Sequence, residues 1–196
     1  DVTSLGDSSY SSLRFGQLEI WDGAISSAQV LQNYNDNVYH WLCGFVSTWR
    51  TSSPNESITL PYFSGGTYSG VIDWGDGTVS ANTFSNVTHT YSVAGDYDIK
   101  IYGTVNGWSF NYSESAPKII KIMKWGILEF GDYENEFAGC ENLDLSLVAD
   151  TPILTGKSKL TNFFTSCTSL TTINNLELWD ISSIYDLSYM FKHTSC

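Results

Sequence analysis

Three carboxylates in one short stretch are the residues best placed to hold an ion. Asp73 and Asp76 flank a tight turn in Val71-Ile72-Asp73-Trp74-Gly75-Asp76-Gly77-Thr78, and Asp96 follows in Gly95-Asp96-Tyr97. Calcium takes about six to eight oxygen ligands, and carboxylates converging on one end of a β-sandwich are candidates to supply them. Asp73, Asp76 and Asp96 are therefore the candidate metal ligands, and no other cofactor is expected. Turn chemistry favours the simpler role, in which Asp73 and Asp76 cap backbone amides of the turn.

No catalytic motif is spelled out. The chain has no His-Glu-x-x-His, no Gly-x-Ser-x-Gly and no phosphate-binding loop. Its histidines, His40, His89 and His193, fall in three separate segments. His89 is expected to hold a loop by hydrogen bonding, not to act as a base. The chain reads as non-enzymatic. Aromatic residues make up 15% of it, and Trp49, Trp108 and Tyr112 are the candidates for stacking on sugar rings. Asn55-Glu56-Ser57, Asn86-Val87-Thr88 and Asn111-Tyr112-Ser113 are N-glycosylation acceptor triplets, which carry meaning if the protein is secreted by a eukaryotic host.

Charge narrows the partners. The net charge is −12, with 9 Lys+Arg against 21 Asp+Glu in 196 residues. Phosphate backbones and anionic lipid both need clustered cations, so nucleic acid and electrostatic membrane docking are not expected. No run approaches the ~20 apolar residues of a membrane span. The four cysteines, Cys43, Cys140, Cys167 and Cys196, form no Cys-x-x-Cys pair, so zinc is not expected. Buried free thiols and three possible disulfide pairings both remain open.

The elements that must position these residues follow from alternation. Ile72 and Trp74 share one face of a strand, and Gly75-Asp76-Gly77 ends it. Tyr97, Ile99 and Ile101 alternate with Asp98, Lys100 and Tyr102 on a second strand with one dry face. Gly95-Asp96 is expected to be the turn before it, and Asn106-Gly107 the turn after it. Phe45 to Arg50 and Glu56 to Pro61 read as further strands, the latter with Ile58 and Leu60 inward. Ser64-Gly65-Gly66-Thr67 reads as a loop. Tyr91 is placed to anchor a sandwich corner through its hydroxyl. Leu13 to Trp21 reads as a strand, and Ile25 to Tyr34 as a short helix capped by Ser26.

Trp74-Gly75-Asp76-Gly77-Thr78, His89-Thr90-Tyr91 and Gly95-Asp96-Tyr97 together resemble the PKD domain family. That family is an immunoglobulin-like β-sandwich of extracellular proteins, usually a spacer or adhesive module. Phe15-Gly16-Gln17-Leu18-Glu19-Ile20-Trp21-Asp22-Gly23 and Val30-Leu31-Gln32-Asn33-Tyr34 resemble the C-terminal end of a LamG or concanavalin A-like jelly roll. This implies that the rest of a jelly roll lies upstream.

After Pro117 the texture changes. Phe137-Ala138-Gly139-Cys140-Glu141-Asn142-Leu143 matches Phe164-Thr165-Ser166-Cys167-Thr168-Ser169-Leu170, 27 residues on. The same step reaches Phe191 and links Trp125, Pro152 and Trp179, and Ile127, Leu154 and Ile181. Units with apolar knobs that only neighbours can cover should stack as a solenoid. Trp179-Asp180-Ile181-Ser182 and Met190-Phe191 resemble the BspA-like, DUF285-type leucine-rich surface repeats, which implies further repeats downstream.

The expected organisation is mainly β. Residues 1–43 are the jelly-roll piece, 44–117 the PKD-like sandwich and 118–196 the incomplete repeats. The resemblances imply an extracellular, cell-surface or virion-surface protein for adhesion or host-cell recognition. PKD-like and repeat modules also resemble surface components of large algal viruses, which makes a capsid-associated attachment protein one form of this expectation. Partners would be a surface glycan or protein receptor and other capsid or surface proteins. The alternatives are a carbohydrate-binding ancillary region of a secreted glycan-degrading enzyme, and a structural spacer.

Overall fold

The computed structural model describes residues 44–196. The expected strand at Leu13 to Trp21, the helix at Ile25 to Tyr34, His40 and Cys43 lie outside the described residues, as does the jelly-roll assignment. The described chain is mainly β with antiparallel sheets, an arrangement consistent with a β-sandwich.

Alternation builds the first strands. In β1 (Phe45–Thr51) Phe45, Ser47, Trp49 and Thr51 are buried, while Val46, Thr48 and Arg50 are not. β1 pairs antiparallel with β6 (Gly95–Trp108) on one side and with β7 (Ile119–Lys124) on the other. β3 (Tyr62–Asp73) continues the sheet beyond β6, and β4 (Val79–Ala81) forms its edge. A second small sheet pairs β2 (Glu56–Thr59) with β5 (Thr88–Tyr91). Ile58 and Tyr91 from this sheet are fully buried, as are Trp49, Ile72, Ile99 and Ile101 from the large one.

Two expected breaks are not breaks. Ser64 to Thr67 lies within β3 and Asn106-Gly107 lies within β6. The ladder between these strands slips between Tyr62 and Thr67 and then resumes. The reason is close backbone approach. A Cβ on Gly66 would collide with the Asn106 carbonyl, and one on Gly107 would come within 3.1 Å of Gly66 Cα. Glycine in these places marks a bulge in a continuing strand rather than a turn. Gly95 likewise begins β6 instead of preceding it.

The second half is ordered by hydrogen bonds that step along the chain. Phe137 N–H donates to Phe163 O and Gly139 N–H to Thr165 O. One step later Phe164 N–H donates to Met190 O and Ser166 N–H to Lys192 O. Parallel bridges join Leu145 to Ile173 and Lys159 to Asp186. Phe110 and Tyr112 make the same pair of bonds one step earlier, to Glu136 O and Ala138 O. Short i−3 turns recur at Ser113, Cys140, Cys167 and Thr194. The 27-residue pattern therefore reaches back to Phe110, ahead of the expected boundary at Pro117.

No gap in packing marks that boundary. The described residues belong to one compact unit. A single cluster of buried side chains runs from Phe45 and Trp49 through Trp108, Phe110 and Phe137 to Trp179 and Met190. β7 is the shared element. It pairs with β1, while Asp144 N–H donates to Ile120 O across to the next coil of chain.

Candidate functional site

The turn between β3 and β4 uses both of its carboxylates for its own backbone. Asp73 Oδ1 accepts the Gly75 N–H at 3.0 Å. Asp76 Oδ1 accepts the Thr78 N–H at 3.0 Å and the Thr78 hydroxyl at 2.6 Å, while Asp76 Oδ2 lies 2.7 Å from His89 Nε2. Burial pushes Asp76 upward, but the bonds from Thr78 and His89 outweigh it and hold its pKa below the usual carboxylate range. His89 also stacks on Trp74 with centroids 4.9 Å apart. It acts here as a brace between the turn and β5. Tyr91 completes the corner by donating its hydroxyl to the Trp74 carbonyl at 2.8 Å.

Asp96 is not part of this cluster. It faces Arg50 across the β1–β6 ladder in a two-pronged pair, with both N···O distances at 2.7 Å. That pair, first through its hydrogen bond, lowers Asp96. Among the described residues no three His, Cys, Asp or Glu side chains gather as ion ligands. Asp73, Asp76 and Asp96 are thus brought only partly together, and each already has donors of its own.

Two of the three sugar-stacking candidates need correction. Trp49 and Trp108 are fully buried. Trp108 packs edge-on against Phe45 and Phe110, and Trp49 tilts against Phe110. Neither offers a ring face to a ligand. A large apolar ring at an inward strand position gains more from burial than from exposure. Tyr112 is 56% exposed, at the surface beside Gly139, where a Cβ would come within 2.9 Å of its ring. Asn55 and Asn111 lie exposed in turns, and Asn86 lies exposed at the end of a short 3-10 helix, Phe84–Asn86. The Asn55 and Asn111 backbones are left-handed, at φ 60° and 42°.

An exposed aromatic surface also lies on the β3 bulge. Phe63 is 41% exposed, and its ring lies on that of Tyr133 with centroids 3.9 Å apart. Glycine makes room for this pair. Gly131 has φ +68°, and a Cβ there would come within 2.7 Å of the Tyr133 ring. A Cβ on Gly65 would sit 3.2 Å from the Tyr133 hydroxyl. Tyr68 pins the bulge from behind. Its hydroxyl oxygen accepts the Phe63 N–H at 2.7 Å, and its proton lies between the Phe63 and Gly107 carbonyls. Tyr68 in turn stacks on Tyr62, with centroids 4.0 Å apart, and faces exposed Phe84. Beside the pair, Asn106 donates to Glu129 at 2.7 Å. The result is a fixed aromatic ledge with amide and carboxylate groups at its edge. Sequence reasoning missed Phe63 and Tyr133. The Gly65-Gly66 pair between Tyr62-Phe63 and Tyr68 fits a turn as well as a close backbone approach, so nothing in the sequence singled these rings out.

A separate cleft of about 570 Å³ opens between β2 and the 109–118 segment, lined by Tyr62, Ser109, Ser113, Glu114 and Lys118 among others. Lys118 is engaged there by Glu56 at 2.9 Å and by the Ser57 carbonyl at 2.7 Å. The hydrogen bond from Lys118, with those from Ser52, holds Glu56 down at about 2.

Deeper in the second half, Lys157 and Glu136 form an ion pair with both side chains fully buried. Lys157 Nζ also donates to the Gly131 and Tyr133 carbonyls, whereas Glu136 Oε2 has no partner. Burial pushes Glu136 up to about 7, against the pull of Lys157.

No protein-family model matches this chain, and neither a curated protein nor a solved structure is significantly similar to it.

Proposed function

We propose that this chain is a non-enzymatic recognition module of an extracellular or particle surface, and that it engages a surface glycan through the ledge formed by Phe63 and Tyr133. The supporting observation is the ledge itself. An exposed Phe63 ring lies on a partly buried Tyr133 ring, with Gly131 in a left-handed backbone that a side chain would drive into Tyr133, next to amide and carboxylate groups. Sugars are recognised by that combination, an apolar face for the C–H side of the ring and polar groups for its hydroxyls. Exposed aromatic surface that folding does not need is a common mark of a binding site.

The fold reading is part of the same proposal. The Asp73 to Tyr91 corner and the alternating β6 support a PKD-like, immunoglobulin-like sandwich, and the 27-residue hydrogen-bond step supports BspA-like repeats stacked as a solenoid. Modules of this kind suit adhesion and host recognition, including attachment of a virion to a host cell. Among the described residues no helix is long and apolar enough to cross a membrane.

Glycan-array screening followed by calorimetry on the best hit tests the reading. Phe63→Ala and Tyr133→Ala should each weaken binding by about tenfold or more, while leaving the unfolding transition near that of the parent chain. Unchanged affinity in both variants, or no glycan bound at all, would remove the ledge as the recognition site.

A further inference from the structure

The coils of chain after β6 are stacked in one direction, and the two ends of the stack are not alike. Phe110 and Tyr112 donate their N–H groups to the next coil at Glu136 O and Ala138 O. Asn135, Phe137 and Gly139 donate to Thr161 O, Phe163 O and Thr165 O. Asn162, Phe164 and Ser166 donate to Ser188 O, Met190 O and Lys192 O. At these positions the donors face the later coil, whereas elsewhere in the same tiers carbonyls face it, as where Glu141 O and Ser158 O accept the Ser169 and Tyr185 N–H groups. Left-handed backbone turns these amides to one side, at Asn135 and Gly139, at Asn162 and Ser166, and again at Tyr189 and His193.

The series stops at the last coil. The positions 27 residues beyond Asn162, Phe164 and Ser166 are Tyr189, Phe191 and His193. Their N–H groups find no acceptor among the described residues. The side chains change in step. Leu160 and Phe164 are fully buried, but Leu187 is 47% exposed and Phe191 38% exposed. Leu154 is 5% exposed, and its counterpart Ile181 is 46% exposed. At the opposite end Trp108 to Tyr112, the end of β6 and the turn after it, already cover the first coil.

We propose that the face carrying Ile181, Leu187, Tyr189, Phe191 and His193 is a docking surface for one further coil of the same 27-residue kind, laid parallel to those before it. The incoming coil would present carbonyl oxygens to the amides of Tyr189, Phe191 and His193 and apolar side chains to Leu187 and Phe191. This face continues an interface that the chain builds three times over. A parallel coil supplies the carbonyl row that the equivalent amides meet in every earlier tier, and a second copy docked on this face is the alternative that the test separates.

The inference stands apart from the glycan reading and is tested separately. A copy of residues 143–169 carrying Lys157→Ile, the residue found at the equivalent position 184, is fused after Cys196, which keeps the 27-residue phase, and amide hydrogen exchange is followed residue by residue. In the unfused chain, Tyr189, Phe191 and His193 should exchange at least about 100-fold faster than Asn162, Phe164 and Ser166. In the fused chain they should slow by about the same factor. Phe191→Ser should lower the unfused chain's melting temperature without abolishing its folding, since Phe191 stacks on Phe164 from one side only, and should abolish the added protection in the fused chain. Three results would overturn the proposal. The first is protection already present in the dilute unfused chain. The second is protection there that grows with protein concentration, which would make a second copy the occupant. The third is a fused coil that is itself ordered and leaves the three amides fast.

Discussion

Phe110 and Phe137 lie 27 residues apart with ring centroids 5.9 Å apart, and Phe137 repeats the relation with Phe164 at 5.7 Å. Phe164 and Phe191 extend it at 5.9 Å. Phe110 also touches Trp49 and Trp108 of the sheets. One ring therefore belongs to both halves of the described chain. It is the first rung of the ladder and part of the core behind β1 and β6.

Truncating that rung should be felt on both sides. Phe110→Ala is expected to cost about 3–5 kcal/mol, the usual range for emptying a buried phenylalanine site. Because the core is continuous, sheets and coils should unfold in a single transition in both parent and variant. Denaturant unfolding followed by tryptophan fluorescence and by far-UV circular dichroism checks this. Two separated transitions would mean that the halves are stabilised independently.

The β3–β4 turn should behave as a hydrogen-bonded corner, not as an ion site. Tyr91→Phe removes the buried bond to the Trp74 carbonyl and leaves that carbonyl without its donor, at a cost of about 1–2 kcal/mol. Asp76→Ala removes acceptors for the Thr78 amide, the Thr78 hydroxyl and His89, at a cost of about 1 kcal/mol or more. Excess calcium and excess chelator should give the same melting temperature. A calcium-dependent rise that disappears in Asp76→Ala would return the carboxylates to the role of ligands.

Much of this architecture was legible because it rests on local rules. Period-two alternation located β1, β2 and β6, and turn chemistry located the Asp73–Asp76 corner with its amide bonds. The 27-residue period was visible in Phe137, Phe164 and Phe191. Phe110 escaped notice because it lies just past the end of β6 at Trp108, where the strand pattern hides the start of the repeat. The glycine pairs misled for a related reason. Glycine signals turns and close backbone approach alike, and only the partner strand distinguishes them. Exposure of aromatics was the least legible property. Trp49 and Trp108 read as candidate contacts, yet burial depends on strands far away in the chain. Phe63 escaped notice because its exposure follows from a bulge that alternation cannot describe.

The thiols should divide by depth. Cys140 and Cys167 are buried and free, and Cys196 is free and exposed. Burial raises both buried thiols, Cys167 to about 12. At neutral pH they are held protonated and out of reach, so neither the thiolate nor access favours reaction. Iodoacetamide labelling read by peptide mass spectrometry should modify Cys196 at least about a thousandfold faster than Cys140 or Cys167. Denaturant should equalise the rates. Comparable labelling of Cys140 in the native chain would contradict its place in the core.

The Glu136–Lys157 pair should set a pH dependence with an unusual sign. Glu136 stands where the next two coils carry Phe163 and Met190, and Lys157 stands where Phe130 and Ile184 stand one coil to either side. The pair is thus a polar plug in otherwise apolar columns, and a slip of one coil would bury a charge against a ring. Burial raises Glu136 from an ordinary value of 4.5 to about 7, so between these values the folded chain binds a proton that the unfolded chain has released. Stability from this group is then full below about 4.5 and is lost as pH rises through about 7, by on the order of 3 kcal/mol. Carboxylates held low act in the other direction. Glu56, at about 2, contributes above the ordinary range and loses its contribution as pH falls toward that value. The two effects occupy separate windows, so a melting-temperature profile resolves them. Glu136→Gln cannot titrate, yet its amide oxygen still accepts from Lys157. It should flatten the decline between about 4.5 and 7 while keeping the acid limb unchanged. A variant profile that falls with pH as the parent's does would place the titrating group elsewhere.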